Sequence, residues 1–139
     1  MTPPPHLQGR VNLFILAHAA TWDGRFQVSS LAASAAAAGQ RVEIALFFAA
    51  LASWVEERWD DLDPASPLTR ARLIAAQAPS LAAMLTPGRE AGAIRLFACS
   101  ASVRYLGLDA ARVQAQVDAI LGWQSFADKI ARADRTVTL

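Results

Sequence analysis

Short apolar blocks recur along the chain and read as buried strands, with helix-forming stretches between them. Val11 to Ala17 is apolar except for Asn12 and follows a glycine, which predicts a buried strand. His18 to Gly24 is a loop in which Thr21 or Asp23 stands ready to cap a helix. That helix is predicted over Arg25 to Ala38, where repeated alanine gives high propensity, and Gly39 is its C-cap. Arg41 to Phe48 is a second apolar block. Strand, helix and strand make one βαβ unit, right-handed by the crossover rule.

Leu51, Trp54, Val55 and Arg58 line one face of a short helix, and Leu62 to Pro67 is a proline-bearing loop. Leu68 to Ala78 and Pro79 to Leu85 read as helical, and Thr86-Pro87-Gly88 reads as a break. Ala93 to Ala98 is a third strand. Ser100 to Tyr105 forms helical turns closed by Gly107. From Asp109 the spacing predicts an amphipathic helix, with Val113, Val117, Ile120 and Leu121 as its core stripe and Gly122 as its end. Gln124 to Ala133 is a last helix, with Phe126 and Ile130 on one face, and Thr136 to Leu139 is a terminal strand. This alternation describes a doubly wound α/β layer fold.

Composition sharpens the picture. Of 139 residues, 54% are apolar and only 18% charged, against an ordinary charged share of about 25%. A parallel sheet covered on both faces accounts for part of that, and apolar surface buried between subunits for the rest. The net charge of +1 and the scattered basic residues argue against nucleic-acid binding. The acidic run Glu56-Glu57-Arg58-Trp59-Asp60-Asp61 reads as a solvated helix end. One cysteine permits no internal disulfide, and neither histidine has a companion at metal-ligand spacing, so no metal is expected and the compartment reads as reducing and cytoplasmic. The proline-rich start, residues 1–10, reads as a flexible arm rather than a signal peptide. The longest apolar run, Ile44 to Val55, is too short to span a bilayer. There is no glycine-rich phosphate loop and no nucleophile elbow, so no cofactor is expected.

The candidate chemistry centres on Cys99. It closes the run Ile94-Arg95-Leu96-Phe97-Ala98 and precedes Ser100-Ala101-Ser102, where a helix is predicted to begin. Open α/β sheets place their sites at the carboxyl ends of strands. The N–H groups of Ser100, Ala101 and Ser102 would lack helical partners there and favour a thiolate. The competing reading is a small buried hydrophobe. His18 stands on the same rim and would serve as base or thiolate partner if its strand lies next to that of Cys99, about 5 Å away. Its alternative is an ordinary loop histidine. Asp23 reads mainly as a helix cap. Ser100 and Ser102 read as caps whose hydroxyls could orient an oxyanion. Arg104 reads as a counter-charge or a solvent-facing cation. Trp54 and Trp59, with Phe47 and Phe48, read as core and subunit interface, or alternatively as an apolar wall beside Cys99.

The segment Leu96-Phe97-Ala98-Cys99-Ser100-Ala101-Ser102-Val103-Arg104-Tyr105-Leu106-Gly107-Leu108 resembles the surroundings of the central cysteine in the DsrE/DsrF-like (YchN-like) family. The first βαβ unit and the ending, with Gly122, Phe126 and Ala133-Asp134 before a terminal strand, are similar to it as well. The resemblance implies a single domain over residues 11–139, a three-layer α/β/α fold with a five-stranded, mainly parallel sheet. It implies homo-oligomers, trimers or hexamers, or assembly with paralogous subunits. It also implies sulfur relay through a cysteine persulfide, with Cys99 as the matching residue and a thiol-bearing donor or acceptor as partner. A single-cysteine sulfur carrier is thus one expectation. The other is a non-enzymatic oligomeric small-molecule-binding or regulatory protein in which the cysteine is inert.

Overall fold

The computed structural model describes residues 9–139, and most of the proline-rich arm, residues 1–8, lies outside the described residues. The elements follow in the order β1 (Leu13–Ala17), α1 (Trp22–Ala37), β2 (Val42–Leu46), α2 (Phe48–Val55), α3 (Arg70–Ala75), α4 (Leu81–Glu90), β3 (Ile94–Cys99), α5 (Ser100–Tyr105), α6 (Ala110–Gln114), β4 (Ala119–Leu121), α7 (Trp123–Arg132) and β5 (Arg135–Thr138). The chain is an α/β protein with one five-stranded sheet, ordered β4-β3-β2-β1-β5. Every pair in it is parallel.

That order decides where the helices go. From β1 to β4 the chain steps one strand at a time in one direction. Right-handed crossovers therefore put α1 through α6 on a single face. The return from β4 to β5 spans the whole sheet, and α7 crosses the other face. The cores agree. Leu13, Ile15, Ile44, Leu46 and Leu96 pack with Val28 of α1, Leu51 of α2, Leu85 of α4 and Val113 of α6. On the second face Phe14, Ala45, Phe47, Phe97, Cys99 and Leu121 pack with Phe126 of α7.

Two expected elements are different. The amphipathic helix predicted through Leu121 stops at Gln114, and Ala119–Leu121 is the strand β4. Asp118 explains the switch: its N–H donates to the Leu96 carbonyl (2.8 Å) and its carboxylate accepts the Leu96 N–H (2.7 Å), which zips the segment onto β3. Ile120 and Leu121 then pack into opposite cores, the period of a strand. The break expected at Thr86-Pro87-Gly88 is instead helix, since α4 runs through Pro87 to Glu90. Proline removes one backbone bond there. Gly88 offsets this by bringing the helix against its neighbours, where a Cβ would lie 2.6 Å from Ile94 Cγ1 and 3.4 Å from Ala36 Cβ.

α1 begins at Trp22, earlier than predicted. Thr21 Oγ1 caps it by accepting the Gly24 N–H (3.3 Å), and Asp63 accepts the Trp22 N–H (2.9 Å). The acidic run is only partly solvated. Asp60 accepts from the Ser80 hydroxyl (2.8 Å) and from the N–H groups of Leu81 and Ala82, so it caps α4. The buried Arg25 gathers the carbonyls of Trp59, Ala20 and Asp61, and burial pulls its pKa below the ordinary arginine value.

At the start of the described chain, the exposed Arg10 guanidinium holds Asp134 at 2.5 Å, and Asn12 Nδ2 donates to the same carboxylate at 2.9 Å. The hydrogen bond from Arg10, then that from Asn12, lowers the Asp134 pKa below the usual carboxylate value. A depressed carboxyl pKa adds stability above the unfolded-state value and loses it as pH falls through the folded one. Carboxyl NMR titration is expected to show Asp134 ionising below the ordinary range in wild type and nearer to it in Arg10→Ala. The difference should shrink at high salt.

Candidate functional site

In an open α/β sheet a crevice forms where neighbouring strands send their following helices to opposite faces. Here only β3 and β4 do so, with α5 leaving to one side and α7 to the other. Cys99 and Leu121 are paired in register at the carboxyl end of this strand pair. Cys99 is also the N-cap of α5, and Gly122 is the N-cap of α7. Neither helix start has a side-chain cap. Gly122 faces Ser100, whose Oγ would lie 3.6 Å from a Cβ built on the glycine.

The sulfur itself is enclosed. Cys99 is 1% exposed and lies in the cluster of Phe14, Ala45, Phe47, Phe97, Leu121 and Phe126. His18 is exposed and leaves the rim two strands away. β2 intervenes, so the strands of His18 and Cys99 are about 10 Å apart rather than 5 Å. Ala17, Leu46 and Ala98 are aligned across β1, β2 and β3, which puts Phe47 at the level between His18 and Cys99. The His18 N–H donates to the Leu139 carbonyl (2.8 Å), tying this loop to the chain end.

The weaker candidates take ordinary places. Asp23 is exposed in the first turn of α1, while Thr21 does the capping. Ser100 is exposed and Ala101 half-buried. Ser102 is fully buried, and its hydroxyl accepts the Phe48 N–H at 3.2 Å, joining the starts of α2 and α5. Arg104 is exposed, with its guanidinium carbon 5.1 Å from the Tyr105 ring centroid.

Exposed aromatic side chains stand near the rim in two groups. Phe48 and Tyr105 stack at 6.5 Å, and Trp123 lies 5.3 Å from Phe47. Phe48, Tyr105 and Trp123 are 45%, 67% and 53% exposed. Phe48 has φ +40°, a conformation that bulky residues adopt at a cost of about 1–3 kcal/mol. The Ser102 bond helps to hold it there. The four aromatics of the expected cluster divide accordingly: Phe47 borders Cys99, Phe48 joins the rim surface, and Trp54 and Trp59 pack with the core of the other face.

Sequence reasoning did not single out Trp123 or Tyr105. Trp123 was hidden because the strand before it was read as helix. Once β4 is recognised, a tryptophan at the first helical position after a strand is a visible signal.

Among the described residues no group of His, Cys, Asp and Glu is arranged to hold a metal ion, and no helix is long and apolar enough to cross a membrane. No protein-family profile and no curated protein matches this chain.

Proposed function

We propose that this chain is a non-enzymatic, oligomeric binding or regulatory module of the DsrE-like type, in which Cys99 is a packing residue. The enclosure of the thiol, 1% exposed among aromatic rings, carries this reading. A nucleophile must meet its electrophile, and buried structural cysteines are inert for that reason. The surface offered to partners is the aromatic rim of Phe48, Tyr105 and Trp123. Large exposed aromatic side chains near a sheet rim are suited to subunit or ligand contacts. A second copy or a paralogous subunit is the partner that the apolar composition favours.

A second reading, the single-thiol sulfur carrier, is favoured by the place of Cys99 at the β3/β4 switch point. In that reading the Cys99 thiolate attacks the outer sulfur of a donor persulfide. The donor's S–S bond breaks and its thiolate leaves. Cys99 then holds the sulfur as Cys–S–SH until an acceptor thiolate takes it and restores the thiol. The resolving thiol comes from a partner, because the chain has one cysteine.

Thiol labelling separates the two. The packing reading expects native Cys99 to react at least about 100-fold more slowly than in the urea-unfolded chain, at a rate that tracks opening of the fold. It also expects no added sulfur after exposure to glutathione persulfide. Fast native labelling, together with a mass gain of one sulfur that dithiothreitol reverses and Cys99→Ala abolishes, would overturn it in favour of the carrier.

A further inference from the structure

A strained stretch of backbone lies beside the buried thiol. Phe48, the first residue of α2, has φ +40°. Left-handed backbone is costly for a bulky side chain and persists only where the surroundings hold it. We infer that the Phe47–Phe48 corner is a sprung latch: it releases locally, moves the Phe47 ring off its cluster and admits small molecules to Cys99 while the sheet stays folded. The inference concerns access, so it holds whether Cys99 only packs or carries sulfur.

The hold on the strained peptide is weak. Its carbonyl, that of Phe47, accepts the N–H groups of Ala50 (3.0 Å) and Leu51 (3.3 Å). Its N–H, that of Phe48, donates to Oγ of buried Ser102 at 3.2 Å. The first two are end-of-helix bonds, which fray. The remaining support is the Phe48 stack on Tyr105, and both of those rings are exposed.

Relief of the strain must move Phe47. Beyond the corner, α2 is anchored by Ala50, Leu51 and Val55 in the main core. Before it, β2 is paired on both sides as far as Leu46. Turning Phe48 to an ordinary negative φ while both anchors stay in place displaces the residue between them. Hinges are commonly such element-terminal positions.

Phe47 is also the residue whose movement reaches the sulfur. Leu46 and Ala98 pair in register, so Phe47 and Cys99, one residue further, are neighbours on the second face. Phe14, Ala45, Phe97 and Phe126 of the cluster are fully buried. Phe47 and Leu121 are its solvent side, and Leu121 is fixed in β4, whereas Phe47 belongs to no strand or helix. A released state populated at about 1% or less agrees with the slow native labelling expected of a packed thiol.

Iodoacetamide labelling of the full chain across a urea series tests the latch, beside global unfolding followed by circular dichroism. Below the unfolding transition the labelling rate is expected to stay nearly flat, because a local opening exposes little surface. Phe48→Gly and Phe48→Ala both lose the ring, but only glycine adopts positive φ without strain. Within the flat range, Cys99 should label about fivefold more slowly in Phe48→Gly than in Phe48→Ala. Ser102→Ala frees the Phe48 N–H and should label about fivefold faster than wild type. The inference is overturned if labelling follows the global unfolding curve at every urea concentration, if the glycine and alanine variants label equally fast, or if Ser102→Ala labels at the wild-type rate.

Discussion

Replacing Lys129 with methionine is expected to destabilise the protein by about 3–5 kcal/mol, although methionine is a good core residue. Lys129 Nζ lies 2.9 Å from Glu43 Oε1, and both side chains are almost fully buried, at 5% and 4% exposed. The ammonium also sits 4.5 Å from the Phe97 ring centroid. Removing it leaves Glu43 buried in the middle strand without that partner, and an uncompensated buried charge dominates the loss. It also removes one of the two buried anchors of α7, the other being Phe126. Urea unfolding at fixed protein concentration measures the change, which corresponds to a fall in melting temperature on the order of 10 °C. The double variant Glu43→Leu/Lys129→Met should recover most of it, because a well-packed apolar pair is about as good as a buried ion pair. A loss in Lys129→Met below about 1 kcal/mol would mean that water reaches Glu43.

Phe126→Ala is expected to cost a similar amount, about 3–5 kcal/mol, by a different route. Phe126 is fully buried, with ring centroids 6.2 Å from Phe14, 5.5 Å from Phe47 and 5.8 Å from Trp123. Truncation removes apolar contacts and leaves a cavity in the cluster that encloses Cys99. Stability and thiol exposure are therefore linked in this variant. Native Cys99 should label faster in Phe126→Ala than in wild type, by more than the gain in globally unfolded protein explains. If labelling accelerates only in proportion to lost stability, then α7 is not what keeps reagent from the sulfur.

Much of the fold was legible because burial leaves a plain mark on sequence. β1, β2 and β3 are covered on both faces, so each reads as an apolar run, and α1 announces itself through alanine. Ser102 shows the limit at the site. A serine beside Cys99 reads as a cap or an oxyanion donor, but its hydroxyl is spent on the Phe48 N–H, 54 residues away in sequence. No local pattern encodes such a partner. β4 failed for a related reason. Its three residues are too few to show a period of two, and Val113 and Val117 supply half of a helical stripe just before it. The side-chain and backbone bonds between Asp118 and Leu96 override that stripe, and they exist only once β3 is in place.

The sequence by itself determined the α/β class, the three central strands, the strand-to-helix junction at Cys99 and the lack of a second thiol. These follow from local propensity, from apolar runs and from counting. Only the tertiary structure decided that β2 lies between β1 and β3, and hence that Phe47 rather than His18 borders Cys99. It also decided that, among the described elements, α7 crosses the second face over the cluster that holds the sulfur, and that Trp54 and Trp59 part from Phe47 to line a separate acidic cleft. The physical reason is common to all three. Strand order and crossover direction are settled by packing between segments far apart in the chain, and a local pattern carries no record of which distant segment will arrive.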